Sequence, residues 1–163
     1  MLMKYYIYDM KDIDIWQDMQ RQALATKTEG LTEPEKKAYG YDFVFGAIDK
    51  VPARRQSDAE MEVFKLKTET LIALLPTTAQ KLKKLDKGPA VALSNYKSFL
   101  IKKYNVVSKG YYTSIWMSLG IAIGVSFGVA LKNIALGIPV GIGIGLAIGG
   151  GLQRKAEKEG RVI

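Results

Sequence analysis

The feature of this sequence that most constrains its fold is a 44-residue window, Gly110 to Gln153, that contains a single charged residue, Lys132. The window also holds 11 of the chain's 16 glycines. A helix rises about 1.5 Å per residue, so about 20 apolar residues cross a bilayer core of about 30 Å. The window is therefore long enough for two membrane spans, 111–131 and 134–152, joined by a turn at Lys132 and Asn133.

Glycines recur at every fourth residue in both predicted spans. They are Gly120, Gly124 and Gly128 in the first span, and Gly137, Gly141, Gly145 and Gly149 in the second. Residues four apart lie on one face of a helix, so each span has a groove without side chains. In lipid, little hydrophobic force acts between helices, and such grooves let two backbones approach closely. We expect the seven glycines to pack helices, either between copies of the chain or between the two arms of one hairpin.

Details of the second span are less regular. Gly143 lies off the glycine face, and Gly150 and Gly151 are expected to end the helix at the cytoplasmic interface. Pro139 lacks an amide hydrogen and suits the first turn of a helix. The alternative to a turn at Lys132 and Asn133 is therefore a turn that extends to Ile138 and leaves the second helix short or kinked.

The window has two other possible structures, a buried hairpin in a soluble protein and a membrane strand. A hairpin buried in a soluble protein normally shows a polar stripe on each helix, and neither segment has one. A membrane strand of period two would need further strands to close a barrel and a polar second face. The sequence meets neither requirement, which favours the helical membrane hairpin.

The charges that flank the spans predict an orientation. Basic residues precede the first span and follow the second: Lys102, Lys103, Lys109, Arg154, Lys155, Lys158 and Arg161. By the positive-inside rule both termini lie in the cytoplasm. The expected membrane-interface residues are Lys109, Tyr111, Tyr112, Trp116, Arg154 and Lys155. The N-terminus lacks the apolar core and cleavage site of a secretory signal.

The composition excludes much chemistry. The sequence contains no Cys and no His, which removes thiolate nucleophiles, imidazole acid/base catalysis and Cys/His zinc sites. The spans carry no Asp, Glu or Arg, the groups that usually mark proton relays and coupled transport. Conduction would need an oligomer in which glycine backbone or Ser114, Ser118 and Ser126 face water. We expect no enzyme activity, no cofactor and no metal site.

Before the window the signals are helical. Thr32 to Glu35 and Ser57 to Glu60 have the pattern of capping boxes. The first begins a helix with Leu31 available as its hydrophobic staple; the apolar face of this helix is Tyr39, Phe43, Val44 and Ala47. The second begins a helix whose apolar residues are Met61, Phe64 and Leu71. Further helices are expected at 11–26, near Thr78, and at 90–107. The core stripe of the helix at 11–26 is Ile13, Trp16, Met19 and Ala23. Residues 4–10 are expected to form a strand, and the helix at 90–107 to run into the first span.

Two charged clusters in this region are weak candidate sites. Asp9, Asp12, Asp14 and Asp18 could bind a hard cation, but a solvated helix face is favoured. Lys81, Lys83, Lys84 and Lys87 form a basic patch that could contact anionic lipid; the alternative is a solvated helix face. Nucleic acid binding is not expected, because the basic residues lack interleaved aromatics.

The segments "KKYNVVSKGYYTSIWMSLGIAIG", "ALKNIALGIPVGIGIGLAIGGG" and "KAEKEGRVI" resemble the C-terminal part of uncharacterised bacterial glycine-zipper membrane proteins. The resemblance covers about residues 102–163 and implies a bacterial origin and a membrane hairpin. In that group a glycine commonly precedes the "NIA" turn, where this chain has Lys132. The resemblance brings no catalytic residues, and it does not extend to residues 1–100.

These observations predict an all-α protein with three parts: a cytosolic helical domain (1–109), a transmembrane hairpin (110–153) and a basic cytosolic tail (154–163). We expect a homo-oligomer in the bacterial inner membrane that acts as a pore-forming or membrane-perturbing effector, toxin-like or in phage defence, under control of the helical domain. The alternative is a membrane-anchored adaptor whose residues 1–109 bind a partner protein.

Overall fold

The computed structural model describes residues 2–54, 57–77 and 87–163, and only the backbone of residues 2–11. Regular structure within these ranges is helical, apart from an isolated bridge between Val107 and Val162. The all-helical class expected from the sequence is confirmed. The chain forms two compact units: an N-terminal unit of Met1–Val106 with Ile163, and a hairpin unit of Val107–Val162.

The N-terminal unit contains five α-helices within the described ranges. They are α1 (Leu2–Thr28), α2 (Glu33–Tyr39), α3 (Tyr41–Lys50), α4 (Asp58–Leu74) and α5 (Gly88–Tyr104), with a 3-10 turn at Pro52–Arg54. The hairpin unit contains α6 (Tyr111–Ala130) and α7 (Ile134–Lys158).

Both predicted capping boxes begin helices. The backbone N–H of Thr32 donates to the Glu35 carboxylate at 2.8 Å, and α2 follows. At the start of α4 the hydroxyl of Ser57 accepts from the backbone N–H of Glu60 at 3.3 Å. Such caps satisfy amide donors that have no partner inside the helix.

The first helix differs from expectation at its start and in its buried face. The predicted strand at 4–10 is wrong, because α1 begins at Leu2; extending an existing helix leaves fewer unpaired backbone groups than a lone strand does. Ile13 and Trp16 are buried as expected, but Met19 is 61% exposed. At 100° per residue, Met19 lies about 120° from Ile13, while the buried Leu24 lies about 20° away. Ala23 is exposed too, and Gln17 joins the buried face.

Gly40 divides what the sequence predicted as a single helix. It adopts φ 76°, and its N–H bonds to the carbonyls of Lys36 and Lys37 at the end of α2. A Cβ at this position would also lie 3.0 Å from the Cδ1 of Leu93. Both the left-handed conformation and the close approach suit glycine. Phe43 and Val44 are buried on α3, whereas Tyr39 is only partly buried at the end of α2.

The last helix of the N-terminal unit is shifted from the predicted range of 90–107. It begins two residues earlier, at Gly88, and ends at Tyr104, where Asn105 takes φ 55°. It does not run into α6, because Asn105 and Gly110 both adopt left-handed conformations. The helix expected near Thr78 lies outside the described residues.

Phe64 lies in the core of the N-terminal unit. Its fully buried ring packs edge-on against Trp16 at 5.6 Å and Tyr104 at 6.0 Å between centroids. The polar atoms of both partners are satisfied: the Trp16 indole donates to Glu69 at 2.7 Å, and the Tyr104 hydroxyl donates to the Glu60 carbonyl at 3.0 Å. The core therefore buries aromatic area without leaving these polar groups unpaired.

Candidate functional site

The two apolar helices meet along their glycines. A methyl group placed on Gly120 would lie 3.0 Å from the Cα of Gly145, and one on Gly141 would lie 2.7 Å from the Cα of Gly124. Near the turn, a methyl group on Gly137 would lie 2.6 Å from the Cα of Gly128. The residues predicted to form the glycine face are all buried: Gly120, Gly124, Gly128, Gly137, Gly141, Gly145 and Gly149. The structure thus brings both glycine rows into contact within one hairpin.

The remaining glycines of α7 have open space around them. A methyl group on Gly143, Gly150 or Gly151 would meet no atom within 4 Å. Gly143 therefore lies off the glycine face, as its position in the sequence predicts. These three positions are matched controls for the buried glycines, because the same substitution there meets no neighbour.

The turn between the helices is short and ordered by its backbone. Lys132 adopts φ 55°, and its N–H bonds to the Val129 carbonyl at 3.0 Å, while the N–H of Asn133 bonds to the Gly128 carbonyl at 2.7 Å. This pair of bonds is the Schellman arrangement, in which glycine usually occupies the left-handed position. The side chain of Asn133 then caps α7 by accepting from the Leu136 N–H at 3.3 Å. Helix α7 begins at Ile134, as the short turn predicts, so the alternative turn to Ile138 is wrong and Pro139 lies inside α7.

The far end of α7 also departs from expectation. The helix does not stop at Gly150 and Gly151 but continues to Lys158. Helix propagation costs little once begun, and Gln153 and Ala156 are buried along this extension. It carries Arg154, Lys155 and Lys158 on continuous helix.

Polar contacts tie the two ends of the hairpin unit together. The Gln153 side chain accepts from the Tyr112 N–H at 3.4 Å, a donor in the first turn of α6. Arg161 donates to the Tyr112 hydroxyl at 3.2 Å, and the Val107 N–H donates to the Arg161 carbonyl at 2.9 Å. Hydrogen bonds to Tyr112 and to Glu159 raise the pKa of Arg161. The sequence did not predict these contacts of Gln153 and Arg161 with Tyr112, although Gln153 continues the four-residue spacing from Gly149.

The outer surface of the hairpin is apolar and exposed. Only 17% of the most apolar stretch of α6 and 22% of that of α7 is buried. Large exposed side chains cover both helices: Ile115, Met117, Leu119, Ile123, Val125, Phe127, Val129, Ile134, Leu136, Val140, Ile144, Leu146 and Ile148. The core helix of a soluble protein would be mostly buried. Both helices are long and apolar enough to cross a membrane.

The predicted membrane-interface residues lie near the ends of these helices. Tyr111, Tyr112 and Trp116 are half-buried at the start of α6, and the Tyr111 and Tyr112 rings meet edge-on at 5.3 Å. Lys109, Arg154 and Lys155 are exposed.

The described residues of the two charged clusters in the N-terminal unit form neither a cation site nor a complete basic patch. Asp12, Asp14 and Asp18 are exposed, and Asp18 pairs with Arg21 at 2.7 Å. The side chain of Asp9 lies outside the described residues. In the part of the chain that the structure describes, no group of carboxylates could hold a metal ion. Of the basic patch, Lys87 is exposed, and Lys81, Lys83 and Lys84 lie outside the described ranges.

Comparison with known proteins agrees with the hairpin. Residues 108–155 match the model of a family described as glycine zipper membrane protein. No curated protein and no solved structure matches the chain. The chain is a membrane protein with two candidate spans, and over residues 108–155 it is similar to the glycine zipper membrane proteins.

Proposed function

We propose that this protein is a membrane-anchored adaptor: its hairpin holds the N-terminal unit at the cytoplasmic face of a bacterial inner membrane, where that unit binds a partner protein. The observation that carries this proposal is the mutual contact of the two glycine rows within one hairpin. A surface already occupied inside the chain is not available to a second copy. The zipper therefore accounts for a stable anchor.

The hairpin can be stable in lipid without further protein. Close backbone contact replaces the hydrophobic force that is weak between helices in a bilayer, through dispersion and weak Cα–H contacts. The outward side chains are apolar and need no partner other than lipid. An adaptor role also suits a chain that lacks Cys and His, and we propose no catalytic activity.

Charge supports the proposed orientation. Lys132 lies in the turn, whereas Lys109 precedes α6 and Arg154, Lys155 and Lys158 lie on the last turns of α7. Lys and Arg are retained on the cytoplasmic side of bilayers. The turn is therefore assigned to the periplasmic side, and both ends of the hairpin to the cytoplasm.

A second candidate is the homo-oligomeric membrane effector, and one observation favours it. Each helix carries a second row of small residues, spaced by four and exposed. These outer rows are Ser114, Ser118, Ala122, Ser126 and Ala130 on α6, and Ala135, Pro139, Gly143, Ala147 and Gly151 on α7. Small residues at this spacing favour helix association in lipid. If copies assemble, these rows and not the glycine face supply the contact.

Labelling of single cysteines tests the anchor, because the chain has no Cys of its own. Leu131→Cys places a thiol at the 70% exposed residue beside the turn, and Ala25→Cys places one on the exposed side of α1. In spheroplasts an impermeant maleimide should label Leu131→Cys at once and Ala25→Cys only after permeabilisation. Equal labelling of both before permeabilisation would refute the orientation.

Exchange of the hairpin separates the two candidates. In cells, the full chain with its hairpin replaced by an unrelated two-span anchor should keep any protein partner that cross-links to the native chain. Purified native protein should leave dye-loaded liposomes intact. Dye release that disappears with Gly143→Leu, in the outer row, would instead establish the oligomeric effector.

A further inference from the structure

A groove follows the contact between α4 and α5 in the N-terminal unit. It consists of two adjoining hollows of about 310 and 470 Å³ that share Asn95 and Phe99. Its apolar lining comprises Leu66, Leu71, Leu74, Ala92, Tyr96 and Phe99. Neither hollow belongs to the hairpin unit or to the contacts described there.

The apolar part of this groove reaches the surface. Leu66 is 66% exposed and Leu74 is 51% exposed, although Phe64 on the same helix is completely buried. Two large aliphatic side chains of the groove thus face solvent.

The charged residues that line the groove are lysines. Its lining includes Lys67, Lys102 and Lys103, and no acidic residue among those described. Lys67 lies over the Phe99 ring, 5.2 Å from the centroid, and Lys103 pairs with Glu60 at 2.6 Å beside the groove. Helix α5 itself contains Lys97, Lys102 and Lys103 and no Asp or Glu.

We propose that this groove binds anionic phospholipid at the membrane surface. An apolar floor with lysines at its rim complements a molecule that has acyl chains and a phosphate headgroup. Each lysine near an anionic leaflet contributes about 1 kcal/mol. This inference rests on the membrane anchoring proposed above, since a tether raises the effective concentration of lipid at a weak site.

The test uses the full chain in vesicles of pure phosphatidylcholine or of phosphatidylcholine with phosphatidylglycerol. Thr70→Cys, exposed in the groove, carries an environment-sensitive fluorophore, and Ala38→Cys, exposed on α2, carries the same label as control. With phosphatidylglycerol the groove label should shift to the blue and be quenched by nitroxide lipid, and raised salt should reverse both. The control label should not respond.

Charge variants make the test specific. The double variant Lys67→Gln with Lys102→Gln should lower the ratio of lipid-bound to lipid-free groove about 25-fold. Loss of one lysine, worth about 1 kcal/mol, lowers this ratio about fivefold, and the two effects multiply. Lys37→Gln with Lys50→Gln removes the same charge from exposed positions elsewhere and should change the ratio less than twofold.

Two outcomes would overturn the proposal. One is a groove label that stays in water in anionic vesicles while flotation shows inserted protein, which would point to a protein ligand. The other is an equal response in pure phosphatidylcholine or at the control label. Protein that fails to float with either vesicle would refute the membrane anchoring, and this inference with it.

Discussion

A single methyl group on the glycine face should separate the two helices, and Gly141→Ala shows how much this costs. The new Cβ would lie 2.7 Å from the Cα of Gly124. Carbon atoms pack at about 3.5 Å or more, so the backbones must part by at least about 0.8 Å, because the new methyl group would also meet the carbonyl oxygen of Gly120. Overpacking of this kind typically costs about 1–3 kcal/mol.

The control variant removes the effect of helix propensity. Alanine favours a helix over glycine by about 1 kcal/mol wherever it is placed. Gly143→Ala gains the same propensity on the same helix, but its methyl group meets nothing within 4 Å. The difference between the two variants therefore measures the interhelical contact, and we expect Gly141→Ala to be less stable than Gly143→Ala by about 1–3 kcal/mol.

The assay is unfolding of the reconstituted protein by SDS. Pyrene on Leu119→Cys and Ile144→Cys reports the separation of the helices through excimer emission, because these exposed residues precede Gly120 and Gly145 and lie on the same side of the contact between antiparallel helices. Equal stability of the two alanine variants would refute the reasoning, because it would mean that the glycine rows do not touch in lipid.

Three further predictions concern single interactions. Lys132→Gly should stabilise the hairpin by about 1 kcal/mol because the residue adopts φ 55°, whereas Lys132→Ala should not, as the same SDS titration would show. Gln153→Leu should cost about 1 kcal/mol, since it leaves the Tyr112 N–H without its acceptor; faster hydrogen exchange at Tyr112 would reveal the loss. Burial raises the pKa of Tyr41 and Tyr96 above the ordinary value of 10.0, so the N-terminal unit should lose stability as pH rises above about 10. Urea unfolding at pH 8 to 11 checks this, and Tyr96→Phe should weaken the pH dependence.

Much of the hairpin could be predicted from the sequence because lipid imposes few solutions. Length, apolar composition and the four-residue spacing of glycine together predict two packed helices. The spacing could not decide whether the glycines face each other or another copy, since both use the same close approach. The structure decides between the two, because Gly120 contacts Gly145 of the same chain.

The errors have local physical causes. Gly150 and Gly151 suggest a helix end by propensity, but α7 continues because Gln153 and Ala156 are buried beyond them. Gly40 ends α2, although the apolar pattern alone predicted a helix that continues through this residue. At Gly150 and Gly151 tertiary contacts override a local preference worth only about 1 kcal/mol per glycine, whereas at Gly40 the local preference of glycine for a left-handed conformation ends the helix.

The groove between α4 and α5 illustrates a different limit. Leu66 and Leu74 are apolar residues on a helix, and their sequence does not indicate that they remain exposed. The pairing of α4 with α5 brings them into one groove with Asn95 and Phe99, which are distant in sequence.

The most direct test of the central claim, that the glycine rows pack within one chain, is the distance between spin labels on Leu119→Cys and Ile144→Cys in nanodiscs, since both residues are exposed on the same side of the Gly120–Gly145 contact. Doubly labelled protein is diluted with a tenfold excess of unlabelled protein before reconstitution. The structure predicts a short distance that persists unchanged on dilution. A short distance that disappears on dilution would show that the contact is made between copies, and would contradict the account.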